Sequence, residues 1–122
     1  MKTATPVRLQ RIRGKKTISP NGLPVRYVGR GSRYGNPFVI VRAGRRCWDV
    51  MLSHNGELQP FDICHASYHS AARSAQRAYE RHILPKLDLA DVDRLRGCNL
   101  SCWCKPSDMP CHGDPLLRWA NR

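Results

Sequence analysis

Val25-Arg26-Tyr27-Val28-Gly29-Arg30-Gly31-Ser32-Arg33-Tyr34-Gly35-Asn36-Pro37-Phe38 is the stretch whose reading decides the fold. Val25 to Val28 reads as a short strand. It opens into a loop, Gly29 to Pro37, that carries three glycines, and Phe38 to Val41 reads as the next short apolar strand. A glycine-bearing loop after a strand lets backbone N–H groups approach an anion closely, and two arginines in it can bind phosphate in bidentate fashion. On that reading Arg30, Gly31 and Arg33 hold a phosphate and Asn36 orients the ligand. The glycine and lysine spacings match neither the P-loop nor the Rossmann fingerprint. The plain alternative is a glycine-rich turn with solvent-facing arginines.

Working outward, Val7 to Ile12 alternates apolar and polar residues as an edge strand does, and Gly14 to Pro24 is a turn-rich basic loop. Downstream, Trp48 to Leu52 and Leu58 to Ile63 flank His54-Asn55-Gly56, and Asn-Gly is the strongest short hairpin signal, so a β-hairpin is expected near 47–63. Ser70 to Ile83 places Ala71, Ala75, Ala78, Tyr79 and Ile83 on one helical face, with Pro85 beyond it. Leu89 to Leu95 reads as a short helix capped by Asp88 and closed by Gly97. Asn99 to Cys104 reads as a strand with Leu100, Cys102 and Cys104 on one face. Asp114-Pro115 reads as the N-cap and first residue of a last helix, Pro115 to Ala120. Strands interspersed with helices predict a small single α/β domain: a mixed sheet, two to three helices and the inserted hairpin. Residues 1–24 form a basic segment of edge strand and loop ahead of the 25–122 domain.

A second cluster that can carry chemistry is Cys102-Trp103-Cys104-Lys105-Pro106 followed by Cys111-His112-Gly113-Asp114, running strand, loop, helix N-terminus. Helix N-termini favour anions, and Lys105 would stand near one bound there. A cysteine just before such a terminus can have a lowered pKa, which makes Cys111 a candidate reactive thiolate, with His112 as base or donor and Asp114 as the third reactive group. A zinc set of Cys102, Cys104, Cys111 and His112 competes, although adjacent Cys-His pairs rarely both ligate and the spacing is unlike the usual tetrahedral pattern. Otherwise no cofactor is expected. The bland reading of Cys102 and Cys104 is that they are buried strand residues.

Taken together in this order, the Arg26–Phe38 stretch, Leu95-Arg96-Gly97, Leu100, Cys102 to Pro106, Cys111 to Asp114 and Leu116-Leu117 resemble the domain of unknown function 4326, a family of bacterial and phage proteins. The resemblance covers about residues 25–121. It implies a compact α/β domain in which the early loop and the late Cys-His segment come together, and it implies no reaction. Arg42 to Tyr68 departs from it as an insertion between the Phe38 strand and the helix.

Charge narrows the partners. Residues 1–46 hold twelve Lys or Arg and no Asp or Glu, whereas 47–122 hold nine of each sign, so the net charge of +12 belongs to the N-terminal third. A field of one sign attracts polyanions and phosphorylated small molecules, or else is a solvated surface with no partner. Met1 to Arg13 lacks the apolar core of a signal peptide, and no window approaches the roughly 18 apolar residues of a membrane span. The expected location is therefore the cytoplasm, that of the host if a phage encodes the chain, and the six cysteines are expected as free thiols there. The sequence thus predicts a site for a phosphate-bearing ligand, whether nucleotide, nucleotide-sugar or nucleic acid, formed by the early loop and the last helix. It leaves open whether the ligand is acted on. Two alternatives stand beside it: a non-catalytic nucleic-acid-binding module, and a small phage-type protein that binds a host protein through the inserted hairpin.

Overall fold

Leu100, with no exposed surface, sits at the centre of a three-stranded parallel sheet in the computed structural model, which describes residues 4–104 and 109–122. Its strands are β1 (Arg8–Gln10), β2 (Val25–Tyr27) and β6 (Asn99–Cys102), in the order β1-β6-β2. Arg8 pairs with Leu100 on one side, and Arg26 pairs with Leu100 on the other. A central strand in a parallel sheet is covered on both faces, and all four residues of β6 are buried. Buried Asn99 ties down the preceding basic loop. Its Oδ1 accepts from the Val7 N–H at 3.0 Å, and its Nδ2 donates to Ser19 Oγ at 3.1 Å and Asn21 Oδ1 at 2.7 Å.

The remaining strands, β3 (Phe38–Gly44), β4 (Cys47–His54) and β5 (Glu57–His65), form an antiparallel sheet in sequence order. The expected hairpin is there: His54 pairs with Glu57 across Asn55-Gly56, whose φ angles of 50° and 80° suit a two-residue primed turn. Its strands run longer than expected, and β3 continues past Val41 to join β4 through Arg45-Arg46. Residues 42–68, expected as an insertion, therefore supply most of a sheet whose first strand begins at Phe38. The chain is the small α/β domain expected, with parallel and antiparallel pairing divided between two sheets.

Helix α1 (Tyr68–Ala78) packs its alanine face, Ala71, Ala75 and Ala78, on Phe38 and Val50 of the antiparallel sheet. Small side chains there let helix and sheet approach closely. The α-helix stops earlier than the expected Ile83. Tyr79–Ile83 is a π turn in which the Leu84 N–H reaches back to the Tyr79 carbonyl, followed by a 3₁₀ turn over Leu84–Lys86. Pro85 has no N–H to offer Arg81, so the ladder changes its pitch just ahead of it. Helices α2 (Leu89–Asp93), capped by the Asp88 carboxylate as expected, and α3 (Gly113–Ala120) contribute Val92, Leu116 and Ala120 to a core with Val28, Tyr79, Leu95 and Leu100. Among the described residues no helix is long and apolar enough to cross a membrane.

Candidate functional site

Because β2 and β6 run parallel, the loops after them leave the sheet at the same edge, the edge where α/β sheets commonly bind ligands. Val28 is the meeting point. His112 Nε2 donates to its carbonyl at 2.7 Å, which joins the Gly29–Pro37 loop to the residue that opens α3. The His112 ring also meets buried Tyr79 edge-on, with centroids 4.9 Å apart. Between the two loops and α1 lies a cavity of about 540 Å³, whose lining includes Arg30, Asn36, Phe38, Tyr68, Trp103 and His112. The same wall contains Cys102, Cys104 and Cys111.

The loop's glycines have packing reasons of their own. A Cβ on Gly35 would stand 3.1 Å from the Gly29 carbonyl oxygen, and Gly31 has φ +92°, a backbone that side chains disfavour. Asn36 is committed on both sides of its amide: Nδ2 donates to the Ala75 carbonyl at 3.1 Å and Oδ1 accepts from the Phe38 N–H at 2.9 Å. It pins the loop to α1 while facing the cavity. Arg30 lines the cavity, but Arg33 does not. Arg33 is paired with Asp91 at 2.7 Å and borders a different depression with Arg26 and Arg94. Lys105 lies outside the described residues.

The strand expected to reach Cys104 ends at Cys102, and the bend after it turns Cys104 back toward its neighbours. Cys102, Cys104 and Cys111 then bring three sulfurs within 4.8 Å of one another, a group that could hold a metal ion. Cys102 and Cys111 stand 3.2 Å apart, sulfur to sulfur. Hydrogen bonds from the Cys104 and Cys111 thiols, with a further one from Arg8, hold the Cys102 thiol well below its ordinary range. The other two move the opposite way: hydrogen bonding to Cys102 pushes Cys104 up to about 11, and Cys111 is raised by its bonds to Cys102 and Cys104 and by burial. Cys111, expected to carry the lowered thiol, is instead shifted upward, because it lies buried and is hydrogen-bonded to Cys102 and Cys104. His112 has its pKa lowered by burial, and Nε2–H on the Val28 carbonyl leaves Nδ1 as an acceptor, 3.7 Å from Cys111 Sγ.

Asp114 is not the helix cap. The N-cap position falls on His112, and Asp114 in the first turn is held by Arg8 at 2.8 Å and by Gln76 at 3.2 Å. Arg8 and Gln76 are the residues that sequence reasoning missed. The Arg8 side chain is only 6% exposed, and it also donates to the Met109 carbonyl. Gln76 donates to the Cys111 carbonyl at 2.9 Å. The one signal for Arg8 was Gly113: a Cβ there would come within 3.2 Å of the Arg8 side chain, so the glycine makes room for it.

Two groups lie apart from the cavity. Cys47 and Cys64 face each other at 3.2 Å beside Asp49 on neighbouring strands. His65 bridges Asp62 and Ser70, each at 2.8 Å, between β5 and α1. All six cysteines are free.

No curated protein and no solved structure matches the chain. One family model does, over residues 7–122, so the match begins ahead of β1 and takes in Arg8 as well as both loops around the cavity. The chain belongs to the family described as domain of unknown function (DUF4326).

Proposed function

We propose that this chain binds a phosphate-bearing small molecule, a nucleotide or nucleotide-sugar, in the cavity between the Gly29–Pro37 loop and the Cys111–His112 segment. The observation that carries this reading is the convergence of both sequence motifs on one cavity of about 540 Å³, within the size range of small-molecule sites. The chemistry of the lining is suitably divided. Phe38, Ile40 and Tyr68 offer apolar surface for a base, and the half-exposed Trp103 offers a stacking face. Arg30 supplies the cation for phosphate. If the ligand is acted on, transfer or hydrolysis at the phosphate is the reaction class to test, with neutral His112 as the base and the thiol cluster, Cys111 included, as the other reactive groups. Asp114 then positions Cys111 through Gln76. In this reading zinc belongs to the cavity wall at Cys102, Cys104 and Cys111.

The test is a melting-temperature and calorimetry screen against nucleotides, nucleotide-sugars and pyrophosphate. A ligand at about a hundred times its Kd stabilises by about 2.7 kcal/mol. Arg30→Ala should abolish that gain and Arg33→Ala should leave it, because Arg33 is already paired with Asp91 away from the cavity. Equal loss in both variants would refute the site. Binding only to DNA or RNA, falling about 0.9 log units per phosphate contact per log unit of salt, would favour the nucleic-acid module instead. Binding of neither class, with retention of a host protein dependent on the hairpin, would favour the third reading.

A further inference from the structure

We propose that Cys102, Cys104 and Cys111 bind one zinc ion, with a fourth coordination position open to the cavity. The inference stands on the sulfurs and holds whatever ligand the cavity takes. Three sulfurs meet within 4.8 Å although they come from a strand end, the bend after it and the residue two before α3. A disulfide uses two sulfurs and gives no reason to gather a third, whereas a metal does. Zinc–sulfur bonds of about 2.3 Å place the sulfurs of a tetrahedral site roughly 3.8 Å apart. The 3.2 Å between Cys102 and Cys111 opens to that value by a shift of about half an ångström.

The surroundings suit an anionic thiolate set. The Arg8 guanidinium is nearly buried against the cluster and hydrogen-bonds Cys102. The Gly113 N–H, in the first turn of α3, donates to Cys111 Sγ at 3.4 Å. Thiolates accepting such bonds are the outer-shell arrangement that tunes metal sites. All three cysteines line the cavity, so the side of the cluster away from Arg8 faces the space proposed for the ligand. Three protein ligands with one position left for water or substrate is the pattern of a reactive zinc site, not a purely structural one. His112 Nδ1 lies beside Cys111 but outside the compact group of three sulfurs, which leaves it as a neighbouring base and not a ligand.

The experiment uses the full chain, purified without chelator and desalted. Elemental analysis and native mass spectrometry should find one zinc per chain. Cys104→Ser should reduce that to background; Cys104 is only half-buried, so the fold should survive, as circular dichroism would verify. The Cys47→Ser/Cys64→Ser double variant should keep its zinc. Chelator-stripped protein titrated with cobalt should show thiolate-to-cobalt charge transfer and the strong visible bands of a four-coordinate site. X-ray absorption at the zinc edge should give three sulfurs and one nitrogen or oxygen, unchanged in His112→Gln. Failure of stripped protein to take up either metal overturns the proposal. So does full zinc content in Cys104→Ser, or its loss in the Cys47/Cys64 double variant. Nucleotide binding by wild type that is purified without zinc and takes up neither metal would refute zinc while leaving the ligand cavity standing.

Discussion

Arg8→Met is the perturbation that most directly tests how this domain is held together. Arg8 lies on an edge strand of three residues, too short to hold its place by pairing alone. Its side chain crosses to Asp114 at 2.8 Å and to the Met109 carbonyl at 2.9 Å, tying the first strand to the last helix. Removing one partner of a fully buried ion pair costs about 3–5 kcal/mol. Asp114 is 32% exposed and keeps Gln76, so part of its charge stays solvated and the expected cost falls to about 2–3 kcal/mol. Methionine retains most of the buried apolar volume, so little of that figure comes from a cavity. At roughly 4 °C per kcal/mol for a domain of this size, the melting temperature should drop by about 10 °C. Urea unfolding followed by tryptophan fluorescence gives the free energy directly. The double variant Arg8→Met/Asp114→Asn should cost at least 1 kcal/mol less than the two single changes added together, the mark of a direct pair. A single-variant loss under about 0.5 kcal/mol would show that β1 is held by its backbone alone, and strict additivity would show that the Asp114 pairing itself contributes nothing.

Gly113→Ala should gain none of the stability that alanine usually brings to a helix, about 0.8–1 kcal/mol, because its Cβ meets Arg8 at 3.2 Å; in an Arg8→Ala background the same change should become stabilising, as urea midpoints would register. Tyr79→Phe should cost about 1–2 kcal/mol in the same assay by leaving the buried Tyr34 carbonyl without the hydroxyl 2.7 Å away. Asp62 is held below the ordinary carboxylate range by the Ser74 hydroxyl and His65, so its contribution is present above the unfolded carboxyl pKa and is lost as pH falls through the lower folded value. Wild type and Asp62→Asn should therefore differ in urea midpoint near neutral pH and converge on acidification; a gap that widened in acid would contradict the sign.

Local chemistry was legible in the sequence, and so was the meeting of the early loop with the Cys-His segment; the side-chain pairings made across the chain were not. Asn55-Gly56 fixes a hairpin because two successive residues must take positive φ, and Asp88 marks a helix start because its carboxylate can satisfy a free N–H at once. Both decisions are made within a few residues. Asp114 offered the same cap signal, yet the helix begins a residue earlier at Gly113, so its carboxylate stands in the first turn and pairs with Arg8, brought up by a parallel strand from the other end of the chain. The π turn at Tyr79–Ile83 was hidden for a similar reason: the apolar spacing continues to Ile83, but the missing Pro85 N–H acts on the turn before it. Arg30 and Arg33 look equivalent in the loop and are separated only by Asp91, which α2 places beside one of them.

The two motifs accordingly divide into residues that build the cavity and residues that face it with free chemistry. Gly35, Asn36, Gly113 and Asp114 are spent on close approach or on bonds within the fold. Arg30, His112 with its Nδ1 beside Cys111, and the three thiols line the cavity. A structural motif alone would need the first set and gain nothing from the second. His112 also serves the fold through the Val28 carbonyl, but the three thiols cross-link nothing, and burial of small apolar side chains would not require them to meet. The glycines and the Asn36 amide therefore account for the shape of the site, and the side chains left over account for its being a site. Substitutions in the first set should move the urea midpoint and ligand binding together, and so should His112, which is bonded to the Val28 carbonyl, whereas Arg30 should move binding alone; a matching loss of stability in Arg30→Ala would mean that this side chain too is part of the scaffold.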